Sequence, residues 1–115
     1  MSTDRELLEL AAKAAKLILG EFKGRIVRYE SDGQPVYWNP LQFDDDALRL
    51  AVKLGICIGP NFDNDMAVAD GGEFSQHHCT ELFESDKYAA TRRAIVRVAA
   101  EIGKAMKSTR SYHFV

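Results

Sequence analysis

The chain has 115 residues, of which 46% are hydrophobic and 28% are charged, and 17 acidic residues against 15 Lys and Arg leave a formal net charge of −2. This size and composition predict one soluble globular domain, spanning 1–115, whose core needs neither a metal nor a disulfide. The slight acidic excess argues against direct DNA binding, because proteins that bind phosphate backbones usually carry a basic excess.

No run of apolar residues approaches the ~20 that a membrane-spanning helix requires. The N-terminus opens into a charged amphipathic segment rather than an apolar secretory signal. We therefore predict no membrane association and a location in a bacterial cytoplasm, where Cys57 and Cys79 would both be reduced.

The first predicted element is a helix. Thr3 and Glu6 have the spacing of a capping box, and Leu7 begins two adjacent apolar stripes at helical spacing. Gly20 is the predicted end of this helix, with an extension to Gly24 as the alternative. Apolar residues on two sides of one helix suit either a deep core or a homodimer.

A β-hairpin is predicted next. Residues 25–30 and 34–38 have the β-branched and aromatic content of strands, and the Asp32-Gly33 pair between them is a strong turn signal. Tyr37 and Trp38 are neighbours on one strand, so we expect one in the core and the other exposed. The exposed residue would mark a partner-binding surface, because Tyr and Trp are enriched in interface hot spots.

The second half of the chain predicts a helix over 47–54 with an aspartate as its N-cap, strands over 56–58, 66–70 and 73–79, and a long helix from Asp86 to Met106. The final helix carries an apolar stripe that we expect to be buried against the sheet. Residues 108–115 are predicted to be a loose tail. Together the elements predict an α+β layered sandwich in the order α-β-β-α-β-β-α, with a small antiparallel sheet of about four strands packed by three helices.

His77, Cys79 and Cys57 are the nearest approach to a metal or thiol site, with His78 beside them. Structural zinc usually needs four converging ligands and is announced by paired cysteines, which this chain lacks. We therefore predict no metal and no cofactor, with both cysteines serving as small apolar fillers. A metal-dependent or thiol enzyme at His77, His78 and Cys79 is kept as an alternative.

Arg92, Arg93 and Arg97 give the final helix a basic face. Arginine forks suit bidentate binding of phosphate or carboxylate, so this face predicts a site for a nucleotide or another small anion, in an oligomer. The alternative is an ordinary solvated face on which Arg97 pairs with Glu101 one turn away.

Three blocks of the sequence resemble small uncharacterised proteins encoded by tailed phages and prophages. The blocks are Trp38–Leu41 with 45–54, residues 86–97, and residues 4–15. These proteins are related to the phage ABA-sandwich, or NinX-like, group. The resemblance implies phage origin and a small antiparallel sheet packed by helices. It implies no catalytic residues, because the family has no assigned chemistry.

The leading functional prediction follows from this resemblance and from the lack of catalytic motifs. It is a non-enzymatic phage accessory protein that binds a host protein or protein complex, in host takeover or in defence evasion of the anti-CRISPR kind. The host bacterial cytoplasm would be its location, and Arg92, Arg93, Arg97, Trp38 and Tyr37 are its candidate binding residues.

Overall fold

A computed structural model describes residues 3–71 and 77–106 of the chain. Within these ranges it contains three helices and six strands, in the order α1 (Asp4–Ala15), β1 (Leu19–Phe22), β2 (Arg25–Tyr29), β3 (Pro35–Tyr37), α2 (Asp44–Leu54), β4 (Cys57–Asn61), β5 (Met66–Gly71), β6 (His77–Leu82) and α3 (Lys87–Ala105). The predicted tail 108–115, and the part of the predicted last strand before residue 77, lie outside the described residues.

The predicted α+β class and the alternation of helices with groups of strands are confirmed. The strands number six rather than about four, and they form two antiparallel sheets instead of one. The first sheet has the order β1-β2-β3 and the second has the order β4-β5-β6. Strands β4 and β5, which contain residues of the predicted strands 56–58 and 66–70, pair with each other, since Ile58 lies opposite Ala69.

The extra strand of the first sheet comes from the segment that was predicted to be the end of the first helix. Helix α1 ends at Ala15, and Lys16 adopts a left-handed conformation with φ of 59°. The Lys16 and Leu17 amides donate to carbonyls of the last helical turn, which is the pattern of a Schellman cap. Gly20, predicted to stop the helix, lies instead within β1 opposite Val27.

Helix α3 is the centre of the molecule. Ile95, Val98 and Ala99 of the predicted apolar stripe are buried, as expected. Ala94 and Val96 are buried as well, so the buried part of the helix is wider than a single stripe. Asp86 caps its first turn by accepting hydrogen bonds from two backbone amides.

Helix α1 runs parallel to α3. Arg93 pairs with Asp4 at their N-terminal ends, and Lys13 donates to the carbonyl of Met106 at their C-terminal ends. The two helices come closest at Gly103, where an added Cβ would lie 2.9 Å from the carbonyl carbon of Leu10 and 3.3 Å from the amide nitrogen of Ala14. Such close packing of backbones requires glycine at this position.

Helix α2 packs through one narrow stripe. Ala47, Leu50 and Ala51 are buried, whereas Leu48 and Val52 are 59% and 73% exposed. The predicted aspartate N-cap is also wrong, because Phe43 occupies that position and makes no side-chain capping bond. The three aspartates lie in the first turn, where they still favour the positive end of the helix dipole.

The two sheets cover different parts of the helical layer. The second sheet packs on α3 through small side chains that include Ala67, Ala69 and Cys79. The first sheet packs beside α1 and α2, with Leu19 and Trp38 reaching the core. The second sheet therefore packs broadly on α3, whereas the first sheet meets the helices through a few side chains.

Candidate functional site

The three arginines predicted to bind an anion all bond to other parts of the chain. Arg92 donates to the carbonyl of Leu41 at 2.9 Å and pairs with Asp44 at 2.6 Å. Arg93 pairs with Asp4 at 3.1 Å. Anion binding by these two guanidinium groups would therefore compete with carboxylates that already hold α3 to the rest of the fold.

Arg97 is engaged as well. It pairs with Glu81 of β6 and donates to the carbonyl of Thr80, so the predicted pairing with Glu101 is replaced by a contact with the second sheet. The hydrogen bond that Arg97 donates to Glu81 raises the pKa of Arg97 above its usual value, although burial works against this shift. Anion binding on this face stays a prediction, but the structure gives all three arginines a role in joining elements.

The metal candidates do not converge. In the antiparallel register Cys57 lies opposite Asp70, whereas Cys79 lies opposite Ala69, so the two cysteines are on opposite faces of the second sheet. Cys79 is on the face toward α3 and Cys57 is on the outer face. Among residues 3–71 and 77–106, no three His, Cys, Asp or Glu side chains form a group that could hold a metal ion.

The thiols are also poorly placed for nucleophilic catalysis. Cys79 is buried, and its burial raises the pKa of the thiol, which keeps it protonated. Cys57 is exposed, but Asp70 lies between it and His78 in the sheet, and His78 bonds to Asp70. A thiol nucleophile needs the imidazole next to the sulfur, with the carboxylate behind the imidazole.

The prediction that one of Trp38 and Tyr37 is buried and the other exposed is confirmed. Trp38 is 3% exposed and belongs to the main core cluster, whereas Tyr37 is 38% exposed. Tyr37 lies opposite Val27 on the face of the first sheet that points away from the helices. We call this face, with its residues Ile18, Phe22, Arg25, Val27, Tyr29 and Tyr37, the aromatic face.

The rings and cations of the aromatic face contact one another. The Phe22 and Tyr37 ring centroids are 6.4 Å apart, and the Arg25 guanidinium lies 4.1 Å from the centre of the Tyr37 ring. The ammonium of Lys23, in the β1–β2 turn, lies 5.4 Å from the Phe22 ring. Both cations are held by cation–π attraction.

The aromatic face has a shielded centre and an exposed border. Val27 is 1% exposed, whereas Ile18 and Phe22 beside it are 53% and 46% exposed. Two nearby carboxylates, Glu21 in β1 and Glu30 directly after β2, lie on the opposite face of the sheet by register and alternation. The surface is therefore apolar and aromatic with positive charge at one end.

Strand alternation predicts an exposed Tyr37 or Trp38, but Ile18 and Phe22 lie in or beside β1, which overlaps the residues predicted to end the first helix. Arg25 lies in the predicted strand 25–30, but its residue type alone does not mark it as a site residue. One signal could have found them. Phe22 and Arg25 flank the pair Lys23-Gly24, which turns with φ of 52° and 77°, and a two-residue turn with glycine second is typical of a tight hairpin.

A second group of exposed rings lies at the β4–β5 turn. Phe62 is exposed and packs on Phe83 with ring centroids 5.7 Å apart, and the Lys87 ammonium lies near both rings. Because Phe83 is buried, this group is smaller and more closely tied to the core than the aromatic face.

Comparisons with protein-family models, with curated proteins and with solved structures found no match to this chain. The resemblance to the phage ABA-sandwich group therefore stays a prediction. Within the described ranges, no helix has the length and apolar content needed to cross a membrane.

Proposed function

We propose that this chain is a binding protein without catalytic activity, and that the aromatic face of the first sheet is its recognition surface. The observation that carries the proposal is the exposed cluster of Phe22, Tyr37 and Arg25 on a sheet whose other side is fixed in the core. Aromatic residues and arginine are the residue types enriched at the centres of protein interfaces.

The expected partner is a protein with an apolar patch bordered by acidic residues. Acidic groups would complement Arg25 and Lys23, which are the charged residues at the border of this face. A single-stranded nucleic acid could also stack on exposed rings. We favour a protein because Arg25 already stacks on Tyr37, and because two cations make few phosphate contacts.

The proposal includes the setting that the sequence resemblance implies. The chain would be a phage accessory protein that acts in the cytoplasm of the host bacterium, and its partner would be a host factor in takeover or defence evasion. The support for this setting is the resemblance alone, whereas the binding surface is argued from the geometry of the first sheet.

The test is a capture experiment from a bacterial host lysate with immobilised chain and a surface-disrupting variant, Phe22→Ser with Tyr37→Ser. We expect the wild type to retain a discrete protein that the variant loses. Both substituted side chains are more than half buried, so the variant should lose some stability, and a melting curve is used to confirm that it is folded at the temperature of the capture.

The matched control is Leu48→Ser with Val52→Ser, which removes two more strongly exposed apolar side chains from α2. This control should retain the partner. If the control loses it and the aromatic-face variant keeps it, the proposed surface is wrong. Retention of a single-stranded oligonucleotide by the wild type, lost in the aromatic-face variant, would identify nucleic acid as the ligand instead.

A further inference from the structure

A cleft of about 200 Å³ lies between the core side of the first sheet and helix α2. Its floor includes Trp38 and Leu50, and its walls carry charged side chains from both elements. The cleft is on the opposite side of the first sheet from the aromatic face, so it is a separate place for a ligand.

The two carboxylates of the cleft are already engaged. Glu30 pairs with Arg28 at 3.1 Å. Asp46 is 7% exposed and accepts a hydrogen bond from the Asn39 amide at 2.9 Å. Burial is the main influence on Asp46 and raises its pKa, while Arg28 and Arg49 act in the opposite direction through their charges.

Two cations of the cleft have no such partner. Arg49 and Lys53 both line it, and within residues 3–71 and 77–106 neither makes an ion pair or a hydrogen bond to a carboxylate. They are four residues apart on α2, and like charges at this spacing repel each other. By contrast, Arg92, Arg93 and Arg97 each have a carboxylate.

We propose that this cleft binds a small oxyanion, a phosphate group, between Arg49 and Lys53 over the edge of Trp38. The side chains of the cleft that remain without a bonded carboxylate, Arg49 and Lys53, are both positively charged, so the ligand must supply negative charge. A shared anion would also remove the repulsion between the two helix cations. Arg28 stands on the opposite wall of the cleft, held by Glu30.

The size of the cleft restricts the ligand. Pockets for drug-sized molecules usually occupy about 300–1,000 Å³, and this cleft is smaller. It therefore suits inorganic phosphate or the phosphate group of a small monoester, with any larger remainder of the molecule left in solvent.

Trp38 makes the proposal testable without a label, because it is the single tryptophan of the chain. Inorganic phosphate and glycerol phosphate are titrated separately at constant ionic strength while the Trp38 fluorescence is followed. We expect a saturable change in the millimolar range or below. A response to glycerol phosphate at lower concentration than to inorganic phosphate would identify a monoester as the ligand.

Variants assign the response to the cleft. Arg49→Gln and Lys53→Gln should each weaken binding by roughly tenfold, since each removes a charge-assisted hydrogen bond. Lys104→Gln makes the same charge change at an exposed position of α3 and should leave the affinity unchanged. Both cleft residues are exposed, so the variants should fold.

Several results would overturn the proposal. One is a fluorescence change that sodium chloride reproduces at the same ionic strength. Another is a phosphate response that Arg49→Gln and Lys53→Gln leave intact, or that Lys104→Gln weakens equally. The aromatic-face variant Phe22→Ser with Tyr37→Ser should bind phosphate normally, so failure of the proposed function and failure of this inference can be distinguished.

Discussion

The two sheets of this protein are attached to the helices in different ways. The second sheet lies on α3 through small buried residues such as Ala67 and Ala69, and Arg97 joins it to the helix through Glu81. The first sheet reaches the core through a few larger side chains, of which Trp38 is the largest. Its other face presents exposed rings.

This difference in attachment indicates that the two sheets have different roles. Small residues allow close backbone approach, which holds the second sheet firmly against α3. The first sheet is anchored on one side and carries large rings on the other, which is the arrangement expected of a binding surface on a rigid support. The predictions below test this division.

The largest effect is expected at the α1–α3 contact, on which both halves of the molecule depend. Gly103→Ala should reduce the free energy of unfolding by about 3 kcal/mol, because the new Cβ would overlap the backbone of Leu10 and Ala14. In an uncrowded helix the same change would add up to about 1 kcal/mol of stability. Urea denaturation measures the difference.

Gly59→Ala is the matched control for this prediction. An added Cβ at Gly59 would meet no atom within 4 Å, so its free energy of unfolding should change by less than about 0.5 kcal/mol. If Gly103→Ala proves as mild as Gly59→Ala, the helices are not packed as closely as the structure indicates.

The next largest effect separates the sheets. Trp38→Phe should cost about 1–2 kcal/mol, because the smaller ring leaves a void beneath the first sheet. Hydrogen exchange should show faster exchange at Val27 and Arg28 of β2, with Ala69 of β5 little affected. Equal loss of protection in both sheets would contradict the division between them.

A smaller effect concerns the boundary between α1 and the first sheet. Lys16→Gly should stabilise the protein by about 0.5–1 kcal/mol, because Lys16 is held in a left-handed conformation that glycine adopts without steric strain. Gly55, which ends α2 in the same conformation, shows the residue that this position favours. Thermal unfolding checks the gain, and a lower melting temperature would refute it.

The smallest expected effect is a pH dependence at the first turn of α2, where Asp46 accepts a hydrogen bond from the Asn39 amide. Burial raises the pKa of Asp46 in the folded state, so its protonated form favours folding. That contribution is present below the unfolded pKa and is lost as the pH rises through the folded value. As the pH rises from about 3 to about 7, the free energy of unfolding of the wild type should fall relative to that of Asp46→Asn. Urea denaturation measures this difference, and a relative gain of stability with rising pH would contradict the prediction.

The sequence predicted those elements whose local signals agree with their tertiary setting. The hairpin of β2 and β3 has a turn signal and alternating residues, and α3 has a long apolar pattern with Asp86 as its cap. The end of α1 was missed because its left-handed residue is Lys16 rather than glycine. Apolar residues up to Leu19 then continued the helical pattern into β1.

The candidate site was only partly predictable for the same reason. Tyr37 could be assigned to an exposed position from strand alternation with Trp38. Phe22 joins it through the pairing of β1 with β2, which the helical pattern of the preceding residues concealed although Lys23-Gly24 is a turn signal. Arg25 joins it from β2, two residues before Val27, which lies opposite Tyr37 in β3, and the contact of its guanidinium with the Tyr37 ring is visible only in the structure. The basic residues of α3 were visible, but their internal carboxylates, Asp4, Asp44 and Glu81, come from distant parts of the chain.

The most direct test of the aromatic face is site-specific photo-crosslinking in a bacterial host lysate. The photoreactive residue benzoyl-phenylalanine replaces Tyr37 in one protein and Tyr88, a 73% exposed residue of α3, in another. We expect a discrete cross-linked partner from position 37 and none from position 88. A partner cross-linked from position 88 alone, or no cross-link from position 37, would contradict the assignment of the aromatic face as the binding surface.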